Sequence, residues 1–398
     1  MTNRILIACM VLCGMIVASC ARQSITVKID NPFDIARHNT TVEVAWADVA
    51  AGLPSVDPLK VVVTCAESGE ELPSQVVYHG QPTPQLLIFQ VSLEARTSAA
   101  FLIKKGDPQP YTAKTYGRYI PERKDDFGWE NDRVVFRMYG PALAKENPSN
   151  GVDLWLKKTE KLIIDQFYND DLKNGKSYHV DHGEGLDCYK VGHALGAGGI
   201  APYLNDTLWV GSHYTTQEVW DNGPLRTTFK LTYNNLPVGK KTFSEELVIS
   251  LDGGSQFNRA VVSFDGDFTN MQAAAGIFLH EPDNGQEGIT VVDDDRQIPN
   301  SKTSEADGYI AYGEAAVSDA GIPAGRNYVG VILPDGVTEC IRKTGHLLAL
   351  APYAKGEKLT YYFGGGWDQW GFANDDAWFD HVAAFAQRLK NPLTVVIQ

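Results

Sequence analysis

From residue 25 onward the chain is a long succession of short segments in which apolar and polar residues alternate, each closed by Pro, Gly or Asp. Alternation with period two puts one face of a segment in a core and the other in solvent, the signature of half-buried antiparallel strands. The segments 41–46, 60–65, 85–91 and 99–103 predict a small β-sandwich, and Gly106-Asp107-Pro108-Gln109-Pro110 then interrupts the pattern. A second and longer set follows at 133–139, 208–213, 225–233, 245–251, 259–264, 276–280, 328–332, 346–351 and 359–363. At 398 residues, 43% of them hydrophobic, the chain is long enough to bury such large sheets face to face. Helix signals are few. One short helix is expected within 149–167, and a clearer one over 374–389, where Asn374 caps and Trp378, Val382, Phe385 and Leu389 form an apolar stripe. Asn391-Pro392 ends it, and 393–397 is expected to pair into a sheet.

The first twenty residues have the form of a secretory signal, with Arg4 before an apolar run over 5–17 that is too short to span a bilayer. Val17-Ala18-Ser19-Cys20 resembles a bacterial lipobox, so residues 1–19 are expected to be removed and Cys20 lipidated. The expected organisation is then a β-sandwich module over 20–106 and a large antiparallel β region over 107–398. Three cysteines remain after processing, Cys65, Cys188 and Cys340, too few and too scattered for a disulfide framework. A net charge of -14 argues against nucleic acid as a partner. The expected contact with a membrane is through the lipid on Cys20 alone, on the periplasmic face of an outer membrane.

Two blocks between Tyr116 and Gly192 hold more charge and aromatic surface than a simple fold needs. In the first, Arg118, Arg123 and Arg137 stand among Glu122, Asp126, Glu130 and Asp132, with Trp129 between them. Alternation over 133–139 sends Arg133, Val135, Arg137 and Tyr139 to one face and Val134, Phe136 and Met138 to the core. Arginine offers a planar fork to a carboxylate or sulfate, and Trp129 offers a ring to the C–H face of a sugar; Glu130 completes the candidate binding surface. The alternative is an internal ion network that fixes a loop.

In the second block His179, Asp181, His182 and Glu184 lie within six positions, followed by Tyr189 and Lys190. Histidines titrate near neutrality and the carboxylates can orient them, which suits proton transfer. The spacing matches no helical zinc motif, so no metal or other cofactor is expected. Asp293-Asp294-Asp295 lacks the spaced ligands of a calcium loop. Trp367 and Trp370 sit in the glycine-rich run YYFGGGWDQWGF, where three glycines argue against a packed strand; the rings complete the core or flank a sugar cleft, and Trp367 joins the candidate binding residues.

Pro121-Glu122-Arg123-Lys124-Asp125-Asp126, Trp129-Glu130-Asn131-Asp132, Arg137 with Tyr139-Gly140-Pro141, and His182-Gly183-Glu184-Gly185 through Tyr189-Lys190-Val191-Gly192 resemble the family known as domain of unknown function 4861. The resemblance implies a β-supersandwich similar to galactose mutarotase, a setting in the polysaccharide-utilisation clusters of Bacteroidetes, and carbohydrate processing. One branch is similar to a dehydratase acting on ulvan oligosaccharides. Together with the residues, this leads to an expected lyase or dehydratase acting on uronate-containing, acidic oligosaccharides. His182 and His179 are the expected base and its partner, Tyr189 the acid, and Arg118, Arg123 and Arg137 the carboxylate clamp. A glycoside hydrolase or mutarotase-like epimerase, and a glycan-binding lipoprotein without catalysis, are the alternatives.

Overall fold

The computed structural model describes residues 24–146, 148–280, 298 and 300–398, so Cys20, the leader and Asp293-Asp294-Asp295 lie outside the described residues. The protein is mostly β, built from antiparallel sheets with three α-helices among the described residues. Two sheets form the N-terminal sandwich. One runs Glu71–Leu72, Val61–Cys65, Ser98–Lys105, Ser24–Asp30 and Thr394–Ile397, and the other Ser74–Val77, Leu86–Leu93 and Arg37–Ala45. Ile25, Val27, Ile29, Phe89 and Ile103 close their shared core, each at most 1% exposed. The strand Thr394–Ile397 reaches this sheet from the far end of the chain, aligning Ile397 with Val27.

Beyond residue 114 an eight-stranded sheet, a five-stranded sheet and a four-stranded sheet enclose the main core. The five-stranded sheet carries both sequence blocks, in the order Thr115–Ile120, Asp126–Asn131, Val135–Met138, Val152–Lys157, Gly185–Asp187. Its inner face packs Phe127, Trp129, Phe136 and Leu154 into one core with Phe229 and Phe363 of the eight-stranded sheet. On its other face Val135 and Trp155 cluster with Ile164, Phe167 and Tyr168 of the helix Ile164–Asn174 and with Tyr178 of the following loop. Arg137 belongs to that second face, as the alternation requires.

Three local expectations are corrected. Residues 149–157 form a loop and the strand Val152–Lys157, so the short helix starts only at Ile164. Residues 208–213 form a loop apart from a single bridge, Tyr203 to Leu208. The glycines 364–366 lie inside the central strand Leu359–Trp367, where their bareness is what permits packing. A Cβ at Gly364 would stand 2.2 Å from the carbonyl oxygen of Gln256, and one at Gly365 2.6 Å from Leu154. The helix Asp375–Lys390 is capped as expected, the Ala377 amide donating to Asn374 Oδ1 at 2.9 Å, and it buries Trp378 and Val382. Cys65, Cys188 and Cys340 are all free thiols, Cys188 buried and the others half-buried.

Candidate active site

The two blocks meet at Arg137. Strand pairing sets Arg137 opposite Asp153, and the next strand over brings Asp187 opposite Trp155. Arg137 Nη2 stands 2.7 Å from Asp153 Oδ2 and 2.7 Å from Asp187 Oδ2, and donates to the Tyr139 hydroxyl at 2.8 Å. Nη1 donates to the Tyr178 hydroxyl at 3.3 Å and lies 4.0 Å from Asp126. The guanidinium also packs over the rings of Tyr139 and Trp155. Arg137, Asp126, Asp153 and Asp187 are all buried, and a guanidinium shared among carboxylates is how such charge is kept from water. Burial first, and Asp187 second, push the Asp153 carboxyl up to about 7 although Arg137 opposes the shift. Burial likewise raises Asp126.

Arg123 extends the cluster toward solvent, its Nε donating to the Tyr178 hydroxyl at 3.3 Å and its Nη1 3.8 Å from Asp126. The turn that presents it is tight. Lys124 and Asp125 both take left-handed backbone, with φ of 55° and 62°. Gly140 lies so close beneath that a Cβ there would sit 1.9 Å from the Asp125 carbonyl oxygen. Asp126 Oδ1 accepts from the Gly140 amide at 3.1 Å, and the Asp125 carboxylate and carbonyl accept from the hydroxyls of Tyr119 and Tyr214. Left-handed backbone at two adjacent residues that are not glycine costs energy and persists only where the surroundings over-determine it.

His179 joins the cluster from the loop after the helix. Its Nδ1 is 3.0 Å from the Asp187 carbonyl oxygen, 3.5 Å from Asp187 Oδ2 and 3.6 Å from Asp319 Oδ2. Lys190 pairs with the same Asp319, so His179, Lys190 and Asp319 form a partly exposed rim over the buried arginine. Asp319, more than 120 residues from either block, carries no local signal that sequence could have offered.

Other candidates take different places. Trp129 is 0% exposed, stacks on Phe136 and donates to Asn258 Oδ1 at 2.8 Å, so it belongs to the inner core and not to a sugar platform. Trp367 is 1% exposed, packs with Leu156, Leu186 and Ala324 and donates to the Ala324 carbonyl, so its ring belongs to a core cluster. Glu130, wholly buried, pairs with Lys157 at 2.9 Å and accepts from the amides of Ile163 and Ile164, anchoring the helix start. Arg118 is taken up by Glu122 and Asp165, each at 2.6 Å. Arg137, at 2% exposure, is an internal strut and cannot clamp a ligand directly. The Tyr189 hydroxyl points away from His179, donating to the Phe278 carbonyl at 3.3 Å, and burial drives its pKa far upward. His182 is exposed and its Nε2 lies 3.0 Å from the Ser177 carbonyl oxygen. Asp181 and Glu184 pair with Lys158 and Lys161, which hold both carboxyls below their ordinary range. No cluster of metal-ligating side chains occurs among the described residues.

The residues that make the tight turn and its glycine floor, and the loop that delivers His179, are those of the motifs quoted above. The model of the family described as domain of unknown function 4861 matches residues 29–395. The chain belongs to that family. A family relative from Formosa agariphila, described as uncharacterized protein P7, is 32% identical over 409 aligned positions, covering 96% of both chains. Among solved structures the chain is similar to a glycosyl hydrolase family 38 protein from Enterococcus faecalis, at 9% identity and a TM-score of 0.49. It is also similar to an alpha-mannosidase from Enterococcus faecalis V583, at 9% identity and a TM-score of 0.45. Each likeness covers 94% of this chain, which spans about half the length of those proteins (47% and 46%).

Proposed function

We propose that this protein is an exported, lipid-anchored enzyme that eliminates water or a glycosidic leaving group from uronate-containing oligosaccharides, with His179 as its base. The observation that carries the reading is the chain Arg137–Asp187–His179. An Nδ1–H donated to the Asp187 main-chain carbonyl, with the carboxylate that Arg137 holds 3.5 Å away, fixes the ring and leaves Nε2 as the basic nitrogen, for which no partner occurs among the described residues. Arg123 and Lys190, the two partly exposed cations beside Tyr178 and Asp319, are suited to a uronate carboxylate. Neutralising that carboxylate acidifies C5–H. His179 Nε2 takes the proton, the C–H electron pair forms the C4=C5 bond, and the C4–O bond breaks. The imidazolium then returns the proton to the departing oxygen, so for dehydration the substrate loses one water in total. Tyr189 has no part in this step.

The test is incubation of the full chain with uronate oligosaccharides, reading the ultraviolet absorbance of C=C–COO⁻ and the product mass. His179→Ala is expected to lose about 10²–10⁴ in turnover, whereas His182→Ala stays within a few-fold of the parent. Unchanged turnover in His179→Ala would refute the assignment, and a product heavier by one water would replace elimination with hydrolysis.

A further inference from the structure

Lys190 reaches the rim beside His179 from a main chain that is itself tied down. Two hydrogen bonds hold residues 189 and 190 against the end of the strand Gln272–Phe278: the Tyr189 hydroxyl donates to the Phe278 carbonyl at 3.3 Å, and His280 Nε2 lies 2.7 Å from the Lys190 carbonyl oxygen. The other ring nitrogen of His280 is equally engaged. Its Nδ1 stands 3.0 Å from both carboxylate oxygens of Glu314, and Asn327 Nδ2, opposite Glu314 on the neighbouring strand, donates to Glu314 Oε1 at 3.2 Å. His280 and Glu314 are both buried, and the rings of Tyr189 and Phe278 meet the imidazole edge-on.

A neutral imidazole donates from one nitrogen only, so it can satisfy either the carboxylate or the carbonyl but not both. Acceptors at both ring nitrogens therefore require the imidazolium. Burial opposes that charge, and the Glu314 carboxylate more than offsets it, holding the pKa of His280 above its ordinary value. A buried ion pair is a poor source of stability, since apolar residues of the same volume often serve as well. What this pair supplies is direction, a charge-assisted hydrogen bond to one main-chain carbonyl from a ring fixed at its other end.

The connection to the rim closes through Asp319. The strand Tyr309–Val317, which carries Glu314, runs on to Asp319, and Asp319 pairs with the Lys190 ammonium and lies 3.6 Å from His179 Nδ1. The same stretch of chain thus holds Lys190 at both ends, its carbonyl through His280 and its ammonium directly. We propose that His280, kept as an imidazolium by Glu314, is a positioning residue that sets Lys190 for the carboxylate of the substrate. The inference rests on the reading of Lys190 as a uronate-binding cation, and His280 acts through that lysine without touching the substrate.

The experiment is titration calorimetry of sodium glucuronate into the full chain carrying His179→Ala, so that no turnover intervenes. Lys190→Ala, His280→Gln, Glu314→Gln and the pair Lys190→Ala with His280→Gln are compared in that background. Each single substitution is expected to weaken binding by about tenfold, and the pair to bind no more weakly than Lys190→Ala alone, because the imidazolium acts only through that lysine. Glu314→Gln keeps the side-chain shape while removing the charge that holds the second proton, so it reports even where His280→Gln fails to fold. Losses that multiply in the pair would mark a general structural role and overturn the proposal. Unchanged affinity in His280→Gln or Glu314→Gln, or no glucuronate binding by the His179→Ala chain, overturns it too. Elimination is assayed separately on the parent: this binding pattern without a rise in ultraviolet absorbance refutes the lyase reading and leaves the role of His280 standing, whereas elimination with affinity unchanged in the variants refutes that role alone.

Discussion

Glu245 lies buried on the strand Lys241–Asp252 between the core residues Phe243 and Leu247, and replacing it with Gln should change how stability depends on pH in a way that few other substitutions would. Burial alone pushes the Glu245 carboxyl from 4.5 up to about 8, and its nearest titratable neighbours, Tyr233, Tyr361 and Tyr353, stay neutral through that range. The folded protein therefore holds a proton that the unfolded chain releases at lower pH. With the folded pKa above the unfolded one, the carboxyl costs nothing below about 4.5. Its cost grows as pH rises to about 8 and is constant beyond. At about 1.36 kcal/mol per pH unit the full effect is about 5 kcal/mol. With an unfolding entropy of roughly 2.1 cal/mol/K per residue, that corresponds to about 6 °C in Tm for a chain of this length. Glu245→Gln keeps the shape and removes the titration, so its advantage over the parent should widen by about 4 kcal/mol, or about 5 °C in Tm, between pH 5 and pH 9. Differential scanning calorimetry at one-unit intervals reads it directly. Two Tm curves that run parallel from pH 5 to pH 9 would show that Glu245 has a charged or hydrogen-bonded partner, and the argument from burial would fail.

Arg137→Met leaves Asp126, Asp153 and Asp187 buried without their shared cation and should cost about 3–5 kcal/mol at neutral pH, with the loss shrinking in acid as the carboxyls protonate; urea melts at pH 5 and pH 8 distinguish the two. Trp129→Ala should cost about 3–5 kcal/mol in the same assay, because the ring is core; a Trp129→Phe variant that keeps its stability yet loses substrate affinity would contradict that placement. Gly140→Ala should prevent accumulation of folded protein, since the added carbon meets the Asp125 carbonyl at 1.9 Å; a soluble variant with the parent's circular dichroism would show that the turn is free to move. Cys20→Ala should abolish incorporation of labelled fatty acid in the native host, and unchanged labelling would refute lipidation at that residue.

The alternation of side chains over 133–139 could be read directly because one rule, opposite faces for adjacent residues, decides it without knowledge of any partner. The same rule, pressed further, would have singled out Glu245 as a carboxylate in an apolar register. What sequence could not supply was which strands become neighbours. Arg137, Asp153 and Asp187 meet only because three strands align in one sheet, and Asp319 arrives from a remote loop. Trp129 and Trp367 illustrate the opposite error, since tryptophans among charged or glycine-rich neighbours look exposed in a string of letters. Here the neighbours on either side point elsewhere and leave the rings inside. The glycines 364–366 were similarly ambiguous, because the lack of a side chain weakens an isolated strand yet is what lets two layers approach.

The strand Thr394–Ile397 covers the outer edge of Ser24–Asp30, from more than 360 positions away. Until it docks, the N-terminal sheet presents an unpaired backbone edge, open to a strand from any other chain. A fragment cut after the helix Asp375–Lys390 is thereby a self-associating species in waiting, even with every residue of the His179 centre intact. The first strand itself is held on its other side by Ser98–Lys105, so release of residues 394–397 bares its outer edge without freeing the strand.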